Sequence, residues 1–325
     1  MAQLVEHILG KDEVTSSNLV ISSKNPAQCA GFLLFLTERS IIKELLMFID
    51  MHLHSSYSDG SDGVPSLVEK LIKNGITTFS LTDHDSVRGI PELLRESKGR
   101  ARAITGVEFS CLDEGDSCHI LAYGFSPDDP HILALVDKGE ELRRKNFENR
   151  KEHLENAHGI FFTEDELAWL FSLPKIGKPH IARILIARGL AKDTQDVIRR
   201  YLNGCKDNDV RLSAKETVCA ILKAGAVPVW AHPLGGEGED HLSPAEFIDL
   251  AHRLVSYGIQ GMECYYSRYN EEEIAFLLQK ANELSLAVSG GSDYHGENKT
   301  VLLAELQAGK TKFVTENMLS LLDLL

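Results

Sequence analysis

Short apolar runs recur along the chain from Met47 onward, and each run ends in a cluster of polar residues. Between most of these runs lie amphipathic stretches, in which apolar residues return every three or four positions. Strands buried in a parallel sheet are apolar throughout, whereas helices packed on such a sheet are apolar on one face. The predicted strands contain residues 47–49, 78–81, 104–107, 119–123, 227–230, 259–262 and 286–288, and the predicted helices contain residues 66–74, 214–224, 244–256 and 270–283. This alternation predicts βα units in a parallel sheet that is closed or nearly closed.

One long segment, residues 126–211, interrupts the alternation. It contains no convincing strand, but it has helical patterns at residues 132–158, 164–171, 179–188 and 194–202. We therefore predict a helical insertion domain on a barrel formed by residues 47–125 and 212–325. The early part of the insertion is basic, which is typical of a solvated helix face. Placed over an anionic substrate, the same face would supply phosphate contacts.

The first 46 residues differ from the rest of the chain. They are rich in Ser, Asn and Gln, show no sustained periodicity, and precede a second methionine, Met47. Part of this segment resembles peptides produced when a tRNA gene is read as protein. We therefore expect that the natural protein starts at Met47, and the alternative is a disordered or weakly helical arm. Mass spectrometry of the native N-terminus distinguishes the two.

Composition and charge narrow the classes of function. The 325 residues are 43% hydrophobic and 25% charged, as in soluble globular proteins. The formal net charge of −14 argues against a broad basic face that grips long nucleic acid, but it permits a small phosphorylated substrate. None of the six cysteines forms a CxxC pair, and the longest apolar run near the start is too short to span a bilayer. We predict a cytoplasmic protein with reduced thiols, no membrane attachment and no obligate protein partner.

Histidines and carboxylates fall at or near the ends of the predicted strands. His52 and His54 are two residues apart on an extended segment, so that both side chains point to the same side. The complete set is His52, His54, Asp59, His84, Glu108, His119, His232, Asp293 and His295. Polar residues at the ends of so many apolar strands do not improve the packing of the core. In β/α barrels, however, the active site lies at the carboxyl ends of the strands. The set therefore predicts a metal site on that face.

The same residues carry a family resemblance. In chain order, the motifs are His-x-His at 52–54, Ser-Asp-Gly at 58–60, Thr-Asp-His-Asp at 82–85, Gly-x-Glu at 106–108, the following His119, Ala-His-Pro at 231–233 and Gly-Ser-Asp-x-His at 291–295. They resemble the motifs of PHP phosphoesterases from Met47 to the C-terminus. The resemblance implies a distorted (β/α)7 PHP barrel, and it implies that a metal-activated hydroxide hydrolyses a phosphate ester.

The resemblance also implies that the nine residues are catalytic and hold three divalent metals per chain. One ion would take His52, His54, Glu108 and Asp293, and Glu108 would bridge to a second ion held with His119 and His232. The third ion would take Asp59, His84 and His295. Mixed imidazole and carboxylate ligands suit manganese, iron or zinc better than calcium, and manganese is the expected ion.

The segment 177–183, Gly-Lys-Pro-His-Ile-Ala-Arg, looks like that of a PHP subgroup that removes the 3′-phosphate from nucleoside 3′,5′-bisphosphates. Some members of that subgroup also trim short RNA from the 5′ end. The implied partner is therefore a small nucleotide, with short RNA as an alternative. Candidate substrate contacts are Arg143, Lys178, His180, Arg183 and Arg268, and helix capping is an alternative role for Lys178 and His180.

Other hypotheses remain open at this point. A histidinol-phosphate phosphatase would have the same metals and a different pocket, but the insertion favours a nucleotide. An amidohydrolase barrel would end in a lone Asp, and the Asp293-x-His295 ending argues against it. A non-catalytic PHP module would have lost ligands, whereas this set is complete. Asp50 and Asp83, beside two predicted ligands, either orient the histidines or are ordinary polar residues at strand ends.

Overall fold

The computed structural model describes residues 47–173, 176–208, 210–236, 241–306 and 312–325. The predicted extension, residues 1–46, lies outside these ranges. The strands are β1 (Phe48–Leu53), β2 (Ile76–Leu81), β3 (Arg102–Asp113), β4 (Asp116–Tyr123), β5 (Leu212–Ser213), β6 (Val227–Ala231), β7 (Gly261–Tyr266), β8 (Ala287–Gly291), β9 (Glu305–Leu306) and β10 (Lys312–Phe313). The main sheet has the order β1-β2-β3-β4-β6-β7-β8, with β5 beside β3, while β9 and β10 form a small antiparallel pair.

The main sheet curls until its first and last strands meet. His54 donates its backbone N–H to the carbonyl oxygen of Tyr294 at 2.9 Å, and Asp293 donates to that of His52 at 2.9 Å. Both bonds lie at the carboxyl ends of β1 and β8, so the ends of these two strands are held side by side. The prediction of an α/β fold with a nearly closed, barrel-shaped sheet is confirmed.

The hairpin of β3 and β4 departs from the predicted parallel sheet. Strand β4 runs antiparallel to both β3 and β6, so its prediction as a parallel strand was wrong. Glu114 and Gly115, which connect β3 to β4, have φ of 50° and 100°. Positive φ at both central residues is typical of a two-residue hairpin turn. Because the hairpin extends β3 to Asp113, Glu108 lies within the strand and not at its end, contrary to the prediction.

The predicted helices are present at nearly the predicted positions. Among the described residues the helices are α1 (Val64–Lys73), α2 (Ile90–Ser97), α3 (Pro130–His158), α4 (Glu164–Ser172), α5 (Lys178–Ala187), α6 (Thr194–Val197), α7 (Ala214–Lys223), α8 (Pro244–Tyr257) and α9 (Glu271–Glu283), and α6 continues as a π-helical turn (Ile198–Leu202) and a 3-10 turn (Asn203–Asn208). Further 3-10 turns are Gly296–Asn298, Glu316–Met318 and Ser320–Leu324. Helix α2 was not predicted, since eight residues contain too few turns to show a period.

Local sequence explains where the longest helix begins and ends. The Asp129 side chain accepts the backbone N–H groups of His131 and Ile132 at the start of α3, which has Pro130 in its first turn. The helix ends at Gly159, whose φ of 63° belongs to the left-handed region that glycine adopts freely. These two signals confine α3 to residues between the barrel strand β4 and the next helix.

Two hydrophobic cores form within the described ranges. One fills the barrel and the layer beneath its helices, and it includes Ile49, Phe79, Val107 and Trp230. The other is built by the helices between β4 and β5 and contains Phe147, Leu154, Phe162, Leu170, Ile181, Leu185, Val197 and Leu202. The insertion helices therefore bury an apolar cluster of their own. The predicted domain boundaries themselves stay a prediction. Within the described ranges, no helix has the length and hydropathy that crossing a bilayer requires.

Candidate metal centre

The structure brings all nine predicted ligands together at one end of the barrel. They come from β1 and the loop after it (His52, His54, Asp59), from the residues after β2 (His84), from β3 and β4 (Glu108, His119), and from the residues after β6 and β8 (His232, Asp293, His295). Strand β4 is antiparallel, but its pairing with β3 and β6 places His119 opposite Ser110 and Ala231. His119 therefore reaches the same end of the barrel as the other ligands.

Glu108 stands at the middle of the cluster. Its Oε2 lies 3.3 Å from His52 Nε2, 3.3 Å from His54 Nε2 and 3.0 Å from His84 Nδ1. Its Oε1 lies 2.8 Å from His119 Nδ1 and 3.1 Å from His232 Nε2. One carboxylate thus faces five imidazoles, three on one oxygen and two on the other. This arrangement suits a carboxylate that bridges two cations.

The two aspartates hold the other side of the cluster. Asp293 Oδ1 lies 3.3 Å from His54 Nε2 and 3.6 Å from His52 Nε2. Asp59 Oδ1 lies 3.2 Å from His295 Nε2, and Asp59 Oδ2 lies 3.8 Å from His84 Nε2. Each aspartate therefore presents oxygens to imidazole nitrogens from other strands.

The donor atoms fit divalent cations. His52 Nε2, His54 Nε2 and Glu108 Oε2 are buried and make no hydrogen bond. Such orphaned atoms are rare in protein interiors and indicate a missing partner such as an ion. Three groups have ligand atoms within 4.8 Å of one another: His54, Asp59, His84 and His295; His52, His54 and Asp293; and His84, Glu108 and His119. These groups differ from the ligand sets that the family resemblance implies, because His54 is also grouped with Asp59 and His84 is also grouped with Glu108.

The charges of the cluster compensate one another. Burial by itself would raise the pKa of the Glu108 carboxyl, but the charges of His84 and His52 outweigh it and hold that pKa well below its usual value. The pKa of Asp293 is lowered in the same way, against burial, chiefly by Lys299. Burial would lower the pKa of His52, but Glu263 and Glu108 raise it well above the usual value. In the absence of cations, a proton on His52 therefore offsets part of the charge of the carboxylates.

This charge balance predicts that cation binding releases protons. A histidine whose pKa is raised keeps its proton until the pH passes that pKa, and a cation must displace this proton to bind the same nitrogen. We expect Mn²⁺ to bind with release of about one proton or more near pH 7, and to bind more weakly as the pH falls. Calorimetric titration in two buffers of different ionisation enthalpy measures the number of protons. Binding without proton release, at an affinity independent of pH, would contradict the charge balance.

Three residues that hydrogen-bond to the predicted ligands were not predicted from the sequence. Glu263 on β7 contacts His52 Nδ1 with its Oε1 at 2.9 Å. Tyr266 donates its hydroxyl to Asp293 Oδ2 at 2.9 Å, and Lys299 donates Nζ to the same oxygen at 2.6 Å. Asp293 thus turns Oδ1 to the histidines while Oδ2 is anchored. The one available signal was a charged residue, Glu263, inside an apolar strand.

Asp50 and Asp83 contact backbone and serine groups near the ligands. Asp50 accepts the backbone N–H groups of Ser292 and Ala304 at 2.9 and 2.6 Å, and the Ser292 hydroxyl at 2.6 Å. Burial raises the pKa of Asp50 to about 6, although these hydrogen bonds oppose the shift. Asp83 accepts the hydroxyl groups of Ser55 and Ser58 at 2.7 and 2.5 Å. Both aspartates therefore shape the loops that carry the ligands.

The five predicted substrate contacts lie in different surroundings. Arg143 on α3 pairs with Asp85 and donates to Ser110 Oγ at 3.1 Å. His180 Nδ1 accepts the Gly177 backbone N–H at 3.0 Å, and this ring thus caps the start of its own helix. Lys178 begins the same helix, α5. Arg183 is exposed, with its guanidinium 5.2 Å from the Trp169 ring centroid, and Arg268 is exposed after β7.

A cleft of about 180 Å³ opens onto the cluster. Seven of the predicted ligands line it, together with Pro179 at the start of α5, Gly236 after β6, and Lys299. The other two predicted ligands, His52 and His54, are fully buried. The cleft therefore has histidines and carboxylates at its floor and the insertion at one edge.

A barrel of this kind, with imidazoles and carboxylates gathered under an open cleft, defines a metal-dependent hydrolase. Comparison with known proteins specifies the class further. Residues 50–213 match the PHP domain. The chain belongs to the PHP family of metal-dependent phosphoesterases, and it is a hydrolase of phosphate esters.

Several relatives are similar over most of their length. A 5′-3′ exoribonuclease of Haemophilus influenzae is 30% identical over 76% of this chain and 89% of the relative. A phosphoribosyl 1,2-cyclic phosphate 1,2-diphosphodiesterase of Eggerthella lenta is 27% identical over 77% and 95%, and a 3′,5′-nucleoside bisphosphate phosphatase of Chromobacterium violaceum is 27% identical over 76% and 87%. A solved structure from Bifidobacterium adolescentis, described as a metal-dependent phosphoesterase, has a TM-score of 0.68 at 28% identity and covers 80% of this chain and 92% of its own.

Proposed function

We propose that this enzyme removes the 3′-phosphate from nucleoside 3′,5′-bisphosphates. The observation that carries the proposal is the position of helix α5, whose second residue, Pro179, lines the cleft together with Asp59, His84 and His295. The substrate has two phosphates, of which one would bind over the ligand cluster and the other at the start of α5. The relative from Chromobacterium violaceum has this activity in its name and supports the choice.

The reacting phosphate would bind over the ligand cluster. His52, His54, Glu108 and Asp293 would hold one cation, Glu108 with His119 and His232 a second, and Asp59, His84 and His295 a third. Cations at these positions would neutralise the charge of the phosphate oxygens and would activate a water molecule as the nucleophile. Manganese is the proposed metal because imidazole and carboxylate ligands together suit it, with iron and zinc as alternatives.

The chain's own residues would prepare the site for this reaction. Tyr266 and Lys299 anchor one oxygen of Asp293 and leave the other facing His52 and His54. Burial, Asp293 and Glu263 raise the pKa of Tyr266 well above its usual value, so its hydroxyl remains a hydrogen-bond donor. Lys299 also places a positive charge in the cleft wall, where it would offset phosphate charge.

The second phosphate would bind at the start of α5. Backbone N–H groups at a helix N-terminus and a lysine at its first position favour an anion there. Burial lowers the pKa of His180, and the negative charge of nearby Asp59 opposes this shift without cancelling it. The start of α5 therefore lies within electrostatic range of the cluster. Lys178, His180 and Arg183 are the proposed contacts from this helix, and Arg143 and Arg268 are proposed at the rim.

Hydrolysis of short RNA from its 5′ end is the second candidate function. It is favoured by the ring of Trp169, which has the Arg183 guanidinium 5.2 Å from its centroid and the His180 ring at 6.2 Å. Aromatic rings with neighbouring arginines stack nucleobases without sequence preference. The exoribonuclease name of the relative from Haemophilus influenzae supports it as well.

Hydrolysis with Mn²⁺ separates these functions, measured as phosphate release for the small substrates and as release of nucleoside 5′-monophosphates for RNA. The substrates are adenosine 3′,5′-bisphosphate, AMP, histidinol phosphate, phosphoribosyl 1,2-cyclic phosphate and a short 5′-phosphorylated RNA. We expect the highest kcat/KM for the bisphosphate, with AMP as product. The highest value for the RNA would favour the second candidate, and the highest value for histidinol phosphate or the cyclic phosphate would overturn the nucleotide proposal while keeping the metal chemistry.

The variant Lys178→Ala tests where the second phosphate binds. We expect its KM for adenosine 3′,5′-bisphosphate to rise by about tenfold, since one charge-assisted contact contributes roughly 1.5–3 kcal/mol. Its KM for adenosine 3′-monophosphate, which lacks the 5′-phosphate, is expected to stay within about twofold of the natural enzyme's, since no charge-assisted contact of that size is lost. Lys192→Ala, an exposed lysine of the same insertion, is the matched control. Equal changes for both substrates would remove Lys178 from the 5′-phosphate site.

A further inference from the structure

One buried carboxylate outside the nine ligands joins two of them. Glu263 lies on β7 and is fully buried. Its Oε1 is 2.9 Å from His52 Nδ1, and its Oε2 accepts the backbone N–H of His232 at 2.8 Å. His52 belongs to β1 and His232 follows β6, so this single side chain connects two strands that are not neighbours in the sheet.

Both oxygens of Glu263 are engaged by protein groups. Isolation of a carboxylate from water is costly unless hydrogen bonds satisfy it. Here one oxygen is satisfied by an imidazole and the other by a backbone N–H. Because the side chain turns to His52 and His232, it holds the ligands and is not itself a ligand.

The contact with His52 determines which nitrogen that ring offers. A carboxylate accepts a hydrogen bond, so Nδ1 carries the proton in the pair with Glu263. When Nδ1 keeps that proton, Nε2 is the nitrogen that can give its lone pair to a cation, and it lies 3.3 Å from Glu108 Oε2 and 3.6 Å from Asp293 Oδ1. A carboxylate behind a ligating histidine sets the tautomer and the ring orientation in this way.

The contact with His232 stabilises an unusual backbone conformation. His232 has a φ of 26°, in the region that residues with a side chain rarely adopt, and Pro233 follows it. The hydrogen bond from its N–H to Glu263 holds this turn, which directs His232 Nε2 to within 3.1 Å of Glu108 Oε1. The His52 and His232 rings end up nearly parallel, with their centroids 5.9 Å apart.

We propose that Glu263 is a positioning residue that sets the spacing of His52 and His232 on the two sides of Glu108. His52 faces Oε2 of that carboxylate and His232 faces Oε1, so these three residues would hold cations on both sides of Glu108 and their spacing would decide how well the cations fit. This inference rests on the proposed ligand set.

The variant Glu263→Gln tests the proposal directly. Both partners of Glu263 are donors, and a glutamine amide has one acceptor oxygen and one donor nitrogen, so it can satisfy only one of them. We expect its dissociation constant for Mn²⁺ to rise by about 10- to 100-fold, the usual effect of losing the group behind a metal ligand. The increase of Tm on addition of Mn²⁺, measured for each variant against its own metal-free form, should shrink accordingly.

Glu305→Gln is the matched control, because Glu305 is a buried carboxylate outside the nine ligands that accepts the Leu302 backbone N–H at 2.9 Å. It should bind Mn²⁺ as the natural chain does. If Glu263→Gln lowers only the Tm of the metal-free form and binds Mn²⁺ with unchanged affinity, Glu263 is a structural residue and the proposal is wrong. If the natural chain itself binds no Mn²⁺, the ligand set is wrong and this inference falls with it.

Glu263→Asp provides the second variant should Glu263→Gln not fold. It keeps the charge and withdraws the carboxylate by one methylene, so both contacts lengthen. A dissociation constant for Mn²⁺ that rises, but by less than about 100-fold, supports the proposal. An affinity equal to that of the natural chain overturns it.

Discussion

We expect replacement of Glu108 by glutamine to lower kcat/KM for the phosphoester by at least about 10³-fold, or about 4 kcal/mol of transition-state stabilisation. The reason is the position of this carboxylate between two groups of imidazoles, with Oε2 facing His52, His54 and His84. Glutamine has nearly the same shape, but it lacks the charge and has one acceptor oxygen in place of two. A bridge between cations would be lost, and Mn²⁺ binding should weaken together with activity.

The control for this variant is again Glu305→Gln, which makes the same chemical change at another buried carboxylate. It should retain activity and Mn²⁺ binding. Far-UV circular dichroism of both variants shows whether the barrel is folded. Activity of Glu108→Gln within about tenfold of the natural enzyme would remove Glu108 from the catalytic residues, since a bridging ligand contributes more than that.

Replacement of Gly291 by alanine is the substitution with the largest expected effect on the fold. A Cβ at this position would lie 2.4 Å from His52 Cβ and 2.5 Å from the His52 backbone nitrogen. Because the second of these is a backbone atom, β1 and β8 must separate where the barrel closes. We expect the free energy of unfolding to fall by at least about 2–3 kcal/mol, the upper part of the range for overpacking.

The same change should also weaken Mn²⁺ binding, since it moves His52 away from Asp293. Gly63→Ala is the matched control, since a Cβ there would meet only Pro65 Cδ at 4.0 Å. That variant should lose less than about 1 kcal/mol, as expected for alanine in place of glycine before a helix. Urea denaturation of metal-free protein measures both variants. Equal stabilities of the two would show that β1 and β8 tolerate a wider spacing.

The nine candidate ligands can be found in the sequence because strand periodicity and strand order act on them together. The spacing of His52 and His54 places them on one side of an extended segment. Parallel strands also bring their carboxyl ends to one edge of a barrel, so that His84 and His295 come together although they are distant in the chain. The helical insertion is visible for a similar reason, since its apolar residues follow the period of a helix over many turns.

Other features leave no such trace in a single sequence. The reversal of β4 depends on a two-residue turn, Glu114-Gly115, whose local signal is weak beside the apolar run that follows it. Lys299 is an isolated lysine after the last ligand, and only tertiary packing brings its Nζ to Asp293. Glu263 stands out in its strand, but its two partners come from β1 and from the turn after β6, which no spacing rule connects.

The barrel and the insertion thus contribute different parts of the site. The barrel strands and the loops that follow them supply every candidate ligand, and Glu263, Tyr266 and Lys299 hold three of those ligands through hydrogen bonds. The insertion contributes one edge of the cleft through α5. Variants of the barrel residues should therefore change metal binding and kcat, whereas variants of the α5 residues should change KM and the choice of substrate.

The most direct test of the metal centre is anomalous diffraction near the manganese absorption edge, from crystals of the natural chain grown with Mn²⁺. We expect three anomalous peaks beneath the cleft, one of them within coordination distance of His52 Nε2 and His54 Nε2, and two of them sharing Glu108. Fewer peaks at these same ligands would correct the number of ions. Manganese bound elsewhere, with no peak among the nine side chains, would contradict a metal centre at these residues.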